Sequence, residues 1–148
     1  GVLRPLKGTI ETFITRRKRN RQLMTADDFK GKKGITKYLT IKVFNKKDIP
    51  KISLIEFELE TGRTHQIRVH MIYKGTSLLG DQKYCKRNLK FKKIDKTFEE
   101  ILSSFKGQVL HAATLGFNHP RNLKKVEFKT KLPLKFKKLV DFLENSKN

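Results

Sequence analysis

Leu59-Glu-Thr-Gly-Arg-Thr-His-Gln-Ile-Arg-Val-His70 reads as the end of a strand, a glycine-bearing turn and the opening of a helix. The spacing predicts a helix over residues 64–74, with Thr64 as N-cap and Gly75 just past its C-terminus. Free N–H groups and the helix dipole make such a start attractive to anions. Arg63 stands immediately before it. His65 and Arg68 are three apart and therefore share a helix face. The layout suits phosphate or carboxylate recognition, and the same residue types also serve as hydrogen-bonded structural groups. A metal site fits poorly: His65 and His70 are five apart and point away from each other, and Cys85 has no paired ligand nearby.

Working outward, the segments on either side read mainly as strands. Upstream, Thr9–Ile14, Ile35–Phe44 and Ile52–Leu59 carry β-like runs, the last two joined by a proline-bearing turn. Residues 15–34 are polar, basic and dotted with glycine, and read as a loop or arm. Downstream, residues 96–105 form a short amphipathic helix pattern, residues 107–117 alternate in part, Lys125–Thr130 is a strand and Leu134–Leu143 a closing helix. The expected fold class is α+β, a mixed and mainly antiparallel sheet with flanking helices. At 148 residues the chain is one domain or a piece of one.

Charge bounds the function. Lys and Arg total 35 against 14 Asp and Glu, a formal charge of +21. A field of that size recruits polyanions, nucleic acid first and an anionic membrane surface second. The chain has 26 Lys and 9 Arg. Lysine richness is partly compositional, so positions that keep the planar arginine fork say more. Four of the nine cluster as Arg16, Arg17, Arg19 and Arg21, and two more are Arg63 and Arg68. A single cysteine excludes an intrachain disulfide and fits a reducing cytoplasm. No apolar run is long enough for a membrane helix, so no membrane association is expected.

The motif Thr61-Gly-Arg-Thr-His-Gln-Ile-Arg-Val-His70 resembles the signature of RluA-like RNA pseudouridine synthases. Ser77-Leu-Leu-Gly-Asp81 with Tyr84 resembles the family's next block. Leu110-His-Ala112, running on to Leu115-Gly-Phe117 and His119-Pro120, resembles a third, and Thr36 with Tyr38 a fourth. The blocks stand in family order with family spacing. The resemblance implies the pseudouridine synthase fold, with this chain as the C-terminal portion of a single catalytic domain. It also implies isomerisation of uridine to pseudouridine in RNA, expected to be large-subunit ribosomal RNA, with no cofactor and no metal.

The family nucleophile is an aspartate in an Arg-Leu-Asp segment. The aspartates here are Asp27, Asp28, Asp48, Asp81, Asp95 and Asp141, and none follows Arg-Leu. The nucleophile and the family's active-site tyrosine are thus expected upstream of Gly1, and the chain by itself is expected to be inactive. Carried over by position, Arg68 matches the basic residue that pairs with the nucleophile. Gly62, Arg63, His65, Gln66 and Ile67 match motif positions in the wall and supporting loop, Arg63 also contacting RNA. Asp81 reads as a turn and cap residue, His111 as structural. Arg16, Arg17, Arg19 and Arg21 would reach phosphates. The rival reading is a non-catalytic basic RNA-binding module, a degenerate or split relative.

Overall fold

The structure, a computed structural model, describes residues 1–85 and 94–145. Strands β1 (Lys7–Arg16), β2 (Met24–Asp27), β3 (Lys32–Phe44) and β4 (Ile52–Leu59) form an antiparallel sheet of order β2-β1-β3-β4. Helix α1 (Gln66–Tyr73) follows the sheet, and α2 (Lys96–Ser103) comes later in the chain. Strands β5 (Thr114–Asn118) and β6 (Lys125–Lys129) pair as a separate hairpin, and α3 (Leu134–Asn145) closes the described chain.

One face of the sheet is apolar because side chains alternate along each strand. In β1, Ile10, Thr12 and Ile14 are buried while their neighbours are exposed or half-buried. Ile10 and Tyr38 pack with Leu3 and with Met71 of α1, and Ile67 lies against the same cluster. Ile14 packs with Val69 of α1 and with Tyr84, beside Leu23, Met24 and Ala26. A further core joins Phe44 and Ile49 to Phe98 of α2 and to Leu139 and Leu143 of α3. The motif helix is therefore pressed against the sheet by two of the three clusters.

Residues 15–34 are corrected from a loop or arm to a strand pair with its connections. β1 continues to Arg16, β2 occupies Met24–Asp27, and β3 begins at Lys32. The physical reason is that a sheet needs only one apolar face. Ile14, Met24 and Ala26 supply it, while the basic side chains other than half-buried Arg17 stay at the exposed surface. Only Arg17–Leu23 is a hairpin loop, closed by the Arg17 N–H on the Leu23 carbonyl at 2.9 Å. At the other end of β2 the chain crosses over β1 through Gly31, whose φ is +126°. A Cβ there would stand 2.5 Å from the Ile14 carbonyl oxygen, so this crossing requires glycine.

The motif helix begins two residues later than expected. His65, not Thr64, is the N-cap, in the left-handed region at φ 56° and ψ 24°. Its side chain does not cap the helix; the ring turns instead to Tyr84. The C-terminal expectation holds, with Gly75 at φ +74° just beyond Lys74. Gly62 has no positive φ, and a Cβ there would meet nothing within 4 Å, so its turn does not demand glycine.

Candidate active site

Helix α1 has no apolar stripe. Of its eight residues Gln66, Arg68, Val69, His70 and Met71 are buried, and three of these are polar. Buried polar groups are costly unless paired. Each of the three is paired, and those pairings build the site.

Gln66 is the hub of the motif loop. Its Oε1 accepts the Thr61 hydroxyl at 2.7 Å and the Arg63 N–H at 3.0 Å. Its Nε2 donates to the Ile35 carbonyl and to Thr36 Oγ1, both at 2.9 Å. The carboxamide thereby ties the turn before α1 to β3. Arg63 adds a second tie, its Nε donating to the Lys33 carbonyl at 2.9 Å.

His70 is fully buried, with Nδ1 2.8 Å from Thr36 Oγ1 and Nε2 3.1 Å from Thr12 Oγ1. Both threonine hydroxyls can donate or accept, so either neutral tautomer has both ring nitrogens paired. Burial pushes the imidazole down to about 4, so the ring is neutral at ordinary pH. Its role is structural.

Arg68 forms the site's charged centre. Its Nε and Nη2 donate to the two carboxylate oxygens of Asp81 at 2.8 and 2.7 Å, a bidentate pair with side chains 9% and 1% exposed. The Asp81 carboxylate also accepts the Lys83 and Tyr84 N–H groups, each at 3.1 Å. Burial alone would raise the Asp81 pKa. The Arg68 hydrogen bond and the Tyr84 N–H outweigh it and hold the carboxyl below its ordinary range. The same hydrogen bond raises Arg68 against its own desolvation. Both members are ionised.

Tyr84 completes the cluster. Its ring lies under the guanidinium, 4.6 Å from centroid to Cζ. Its hydroxyl accepts the Met24 N–H at 2.8 Å and stands 2.8 Å from His65 Nδ1. In the neutral ring Nδ1 and the phenol share one proton, whichever of them carries it. Desolvation, then the positive charges of Arg68 and Lys83, lower the His65 pKa and favour this neutral form.

The structure thus gathers His65, Arg68, Asp81 and Tyr84 in one cluster, while Gln66 and Arg63 belong to a second that runs through Thr36 to His70 and Thr12. Ile67 points into the core cluster of Leu3, Ile10, Tyr38 and Met71. The resemblance gave Arg68 an aspartate from outside this chain; the guanidinium already has one inside it, Asp81, which is more than a turn residue. Sequence reasoning did not assign Tyr84 and Thr12 a role. A signal existed for Tyr84, which follows the Leu-Leu-Gly-Asp block, but Thr12 is 58 residues from His70 and nothing local marks it. The side chains of Arg19 and Arg21 are exposed, Arg17 is half-buried, and Arg16 Nη1 donates to the Arg21 carbonyl at 2.9 Å. The His111 Nε2 atom is buried and has no partner among the described residues. No group of three or more potential metal-ligating side chains occurs among the described residues.

The family described as RNA pseudouridylate synthase matches residues 3–73, the stretch that holds the four-stranded sheet and the motif helix. The chain belongs to the RluA-like family of RNA pseudouridine synthases. It is 41% identical over 146 residues to the uncharacterized RNA pseudouridine synthase YlyB of Bacillus subtilis, covering 99% of this chain and 42% of that protein. It is 41% identical over 131 residues to ribosomal large subunit pseudouridine synthase D of Zymomonas mobilis, covering 86% and 38%. The solved structure of human RNA pseudouridylate synthase domain containing 1 shares the fold, with a TM-score of 0.66 at 21% identity, over 99% of this chain and 62% of that one. The chain spans about two fifths of the length of the curated relatives it matches.

Proposed function

We propose that this chain is part of an RNA pseudouridine synthase that isomerises uridine in large-subunit ribosomal RNA, and that Arg68 is its active-site cation. The observation that carries the reading is the buried, ionised Arg68 at the start of the motif helix. Relatives named ribosomal large subunit pseudouridine synthase D support the substrate class. The reaction cleaves the glycosidic bond, turns the base and rejoins it through carbon, so the uridine must leave its stack. The family's nucleophilic aspartate must be ionised and aimed. A guanidinium supplies both, favouring the carboxylate by charge and fixing its plane by paired hydrogen bonds. The exposed arginines of the β1–β2 loop, together with Arg63, hold the RNA backbone.

The test uses the full-length enzyme and unmodified large-subunit ribosomal RNA. Pseudouridine should form at a defined uridine and should fail to form with Arg68→Ala. RNA binding with no pseudouridine at any position would favour a binding module instead.

A further inference from the structure

We infer that Asp81 is a positioning residue of the isomerase site, holding one edge of the Arg68 guanidinium so that its other edge is presented, already oriented, to the nucleophilic carboxylate. The inference rests on the function proposed above. A guanidinium offers a carboxylate two bidentate edges, Nε with Nη2 and Nη1 with Nη2. Asp81 occupies the first, at 2.8 and 2.7 Å. Among the described residues no hydrogen bond is made by Nη1, so the second edge keeps its donors for a further carboxylate.

The groups that hold the guanidinium are themselves held. Asp81 is fixed by the Lys83 and Tyr84 N–H groups, and Tyr84 covers the guanidinium from below. The Tyr84 hydroxyl is anchored in turn to Met24 of β2 and to His65 at the head of α1. Three separate parts of the chain therefore set one plane before any RNA arrives. A buried ion pair is weak evidence of stabilisation, since apolar residues often do as well. Here the pair leaves its cation half-used and aimed, which fits positioning better than cohesion.

Orientation and charge make opposite predictions for Asp81→Asn. Removing the negative charge leaves the site one unit more positive, which by Coulomb attraction alone favours an ionised nucleophile. If orientation dominates, the rate falls despite that gain. The experiment is single-turnover kinetics of the full-length enzyme at saturating concentration on ribosomal RNA, with melting temperature and RNA affinity measured alongside. Asp81→Asn should lower the chemical rate on the order of 10- to 100-fold while the RNA Kd stays within about twofold. In an Arg68→Lys background the same change should add less than about threefold, because Asp81 acts through Arg68. A folded Asp81→Asn enzyme with a chemical rate within about twofold of wild type, alongside an inactive Arg68→Ala, would overturn the inference and leave the proposed function standing. An Arg68→Ala enzyme with normal turnover would remove the proposed function itself. Should Asp81→Asn fail to fold, arginine-selective 15N spectra of the wild-type enzyme decide the matter. The Arg68 resonance, identified by its loss in Arg68→Lys, should show slow rotation about Nε–Cζ with separate Nη signals. Rapid averaging would mean that the guanidinium is not held and would overturn the inference.

Discussion

Replacing His70 by glutamine should remove most of an acid-linked loss of stability between pH 6.5 and pH 4. His70 is fully buried, and its ring is held between the hydroxyls of Thr36 and Thr12. Burial lowers its pKa from 6.5 to about 4. Above pH 6.5 the ring is neutral in folded and unfolded chains alike, and the linkage contributes nothing. Below pH 6.5 the unfolded chain takes up a proton that the folded chain refuses, so stability falls as pH falls until the folded ring also protonates near pH 4. The span is 6.5 − 4, or 2.5 units. At about 1.4 kcal/mol per unit the linked loss approaches roughly 3 kcal/mol. Glutamine keeps a donor and an acceptor of similar reach but does not titrate. It will cost some stability at pH 7, and that constant offset is not the signal. The signal is the difference in slope. Urea unfolding of this chain and of His70→Gln, at half-unit steps from pH 4 to pH 7, should show wild-type stability falling more steeply by about 1 kcal/mol per unit. Carboxylate titrations are common to both proteins and cancel. Parallel curves would mean that His70 accepts its proton in the folded state and that its enclosure is not as tight as argued.

Changing Arg16, Arg17, Arg19 and Arg21 together to alanine should flatten the log–log salt dependence of RNA binding by up to about 3, four contacts at about 0.7 each on single strands; an unchanged slope places the phosphate contacts elsewhere. Arg68→Lys should slow the chemical step about 100-fold in single-turnover assays, because an ammonium keeps charge but cannot offer two edges, and normal turnover would refute that geometry. Arg68→Ala should also lose on the order of 3–5 kcal/mol in urea unfolding, since it leaves the Asp81 carboxylate buried and unpaired. Gly31→Ala should destabilise the chain by about 2 kcal/mol, because φ +126° and an Ile14 oxygen 2.5 Å from the new Cβ admit no side chain without movement; a loss below about 0.5 kcal/mol would show that the crossover readjusts freely.

Strands β3 and β4, the turn before α1 and helices α2 and α3 were legible because each carries a local period or a breaker. β2 was not. Met24-Thr-Ala-Asp27 is four residues with no periodic pattern long enough to read, and it is a strand because β1 offers an edge and Tyr84 accepts the Met24 N–H. The motif named Gln66, Arg68 and His65 as site residues, but not their partners. Thr36 and Thr12 meet His70 from 34 and 58 positions away, and Asp81 meets Arg68 from 13. Such pairings follow from packing α1 on the sheet and leave no mark in a linear pattern. His65 as N-cap was equally hidden. The choice between Thr64 and His65 depends on Tyr84, whose hydroxyl offers the ring a partner that offsets the left-handed backbone.

The two sets of arginines are placed for different work. Arg68 is buried and paired with Asp81, so together they present almost no net charge to distant phosphates. Under the proposed function, attraction for RNA would then come from the exposed cations, among them Arg19 and Arg21 of the β1–β2 loop and Arg63 at the mouth of the motif turn. These are screened by salt and bind without reading sequence. Arg68 has the opposite properties: it is buried, little screened and held in one plane by Asp81 and Tyr84. On the proposed reading, affinity would therefore weaken with ionic strength while the orientation of the Arg68 guanidinium stays as the fold has set it. The connection between the two is short and mechanical. Arg63 donates to the Lys33 carbonyl and is bound at its own N–H by Gln66, which lies one helix position from Ile67 and two from Arg68. In the proposed function, RNA contact at the motif turn would load directly onto the helix that carries Arg68.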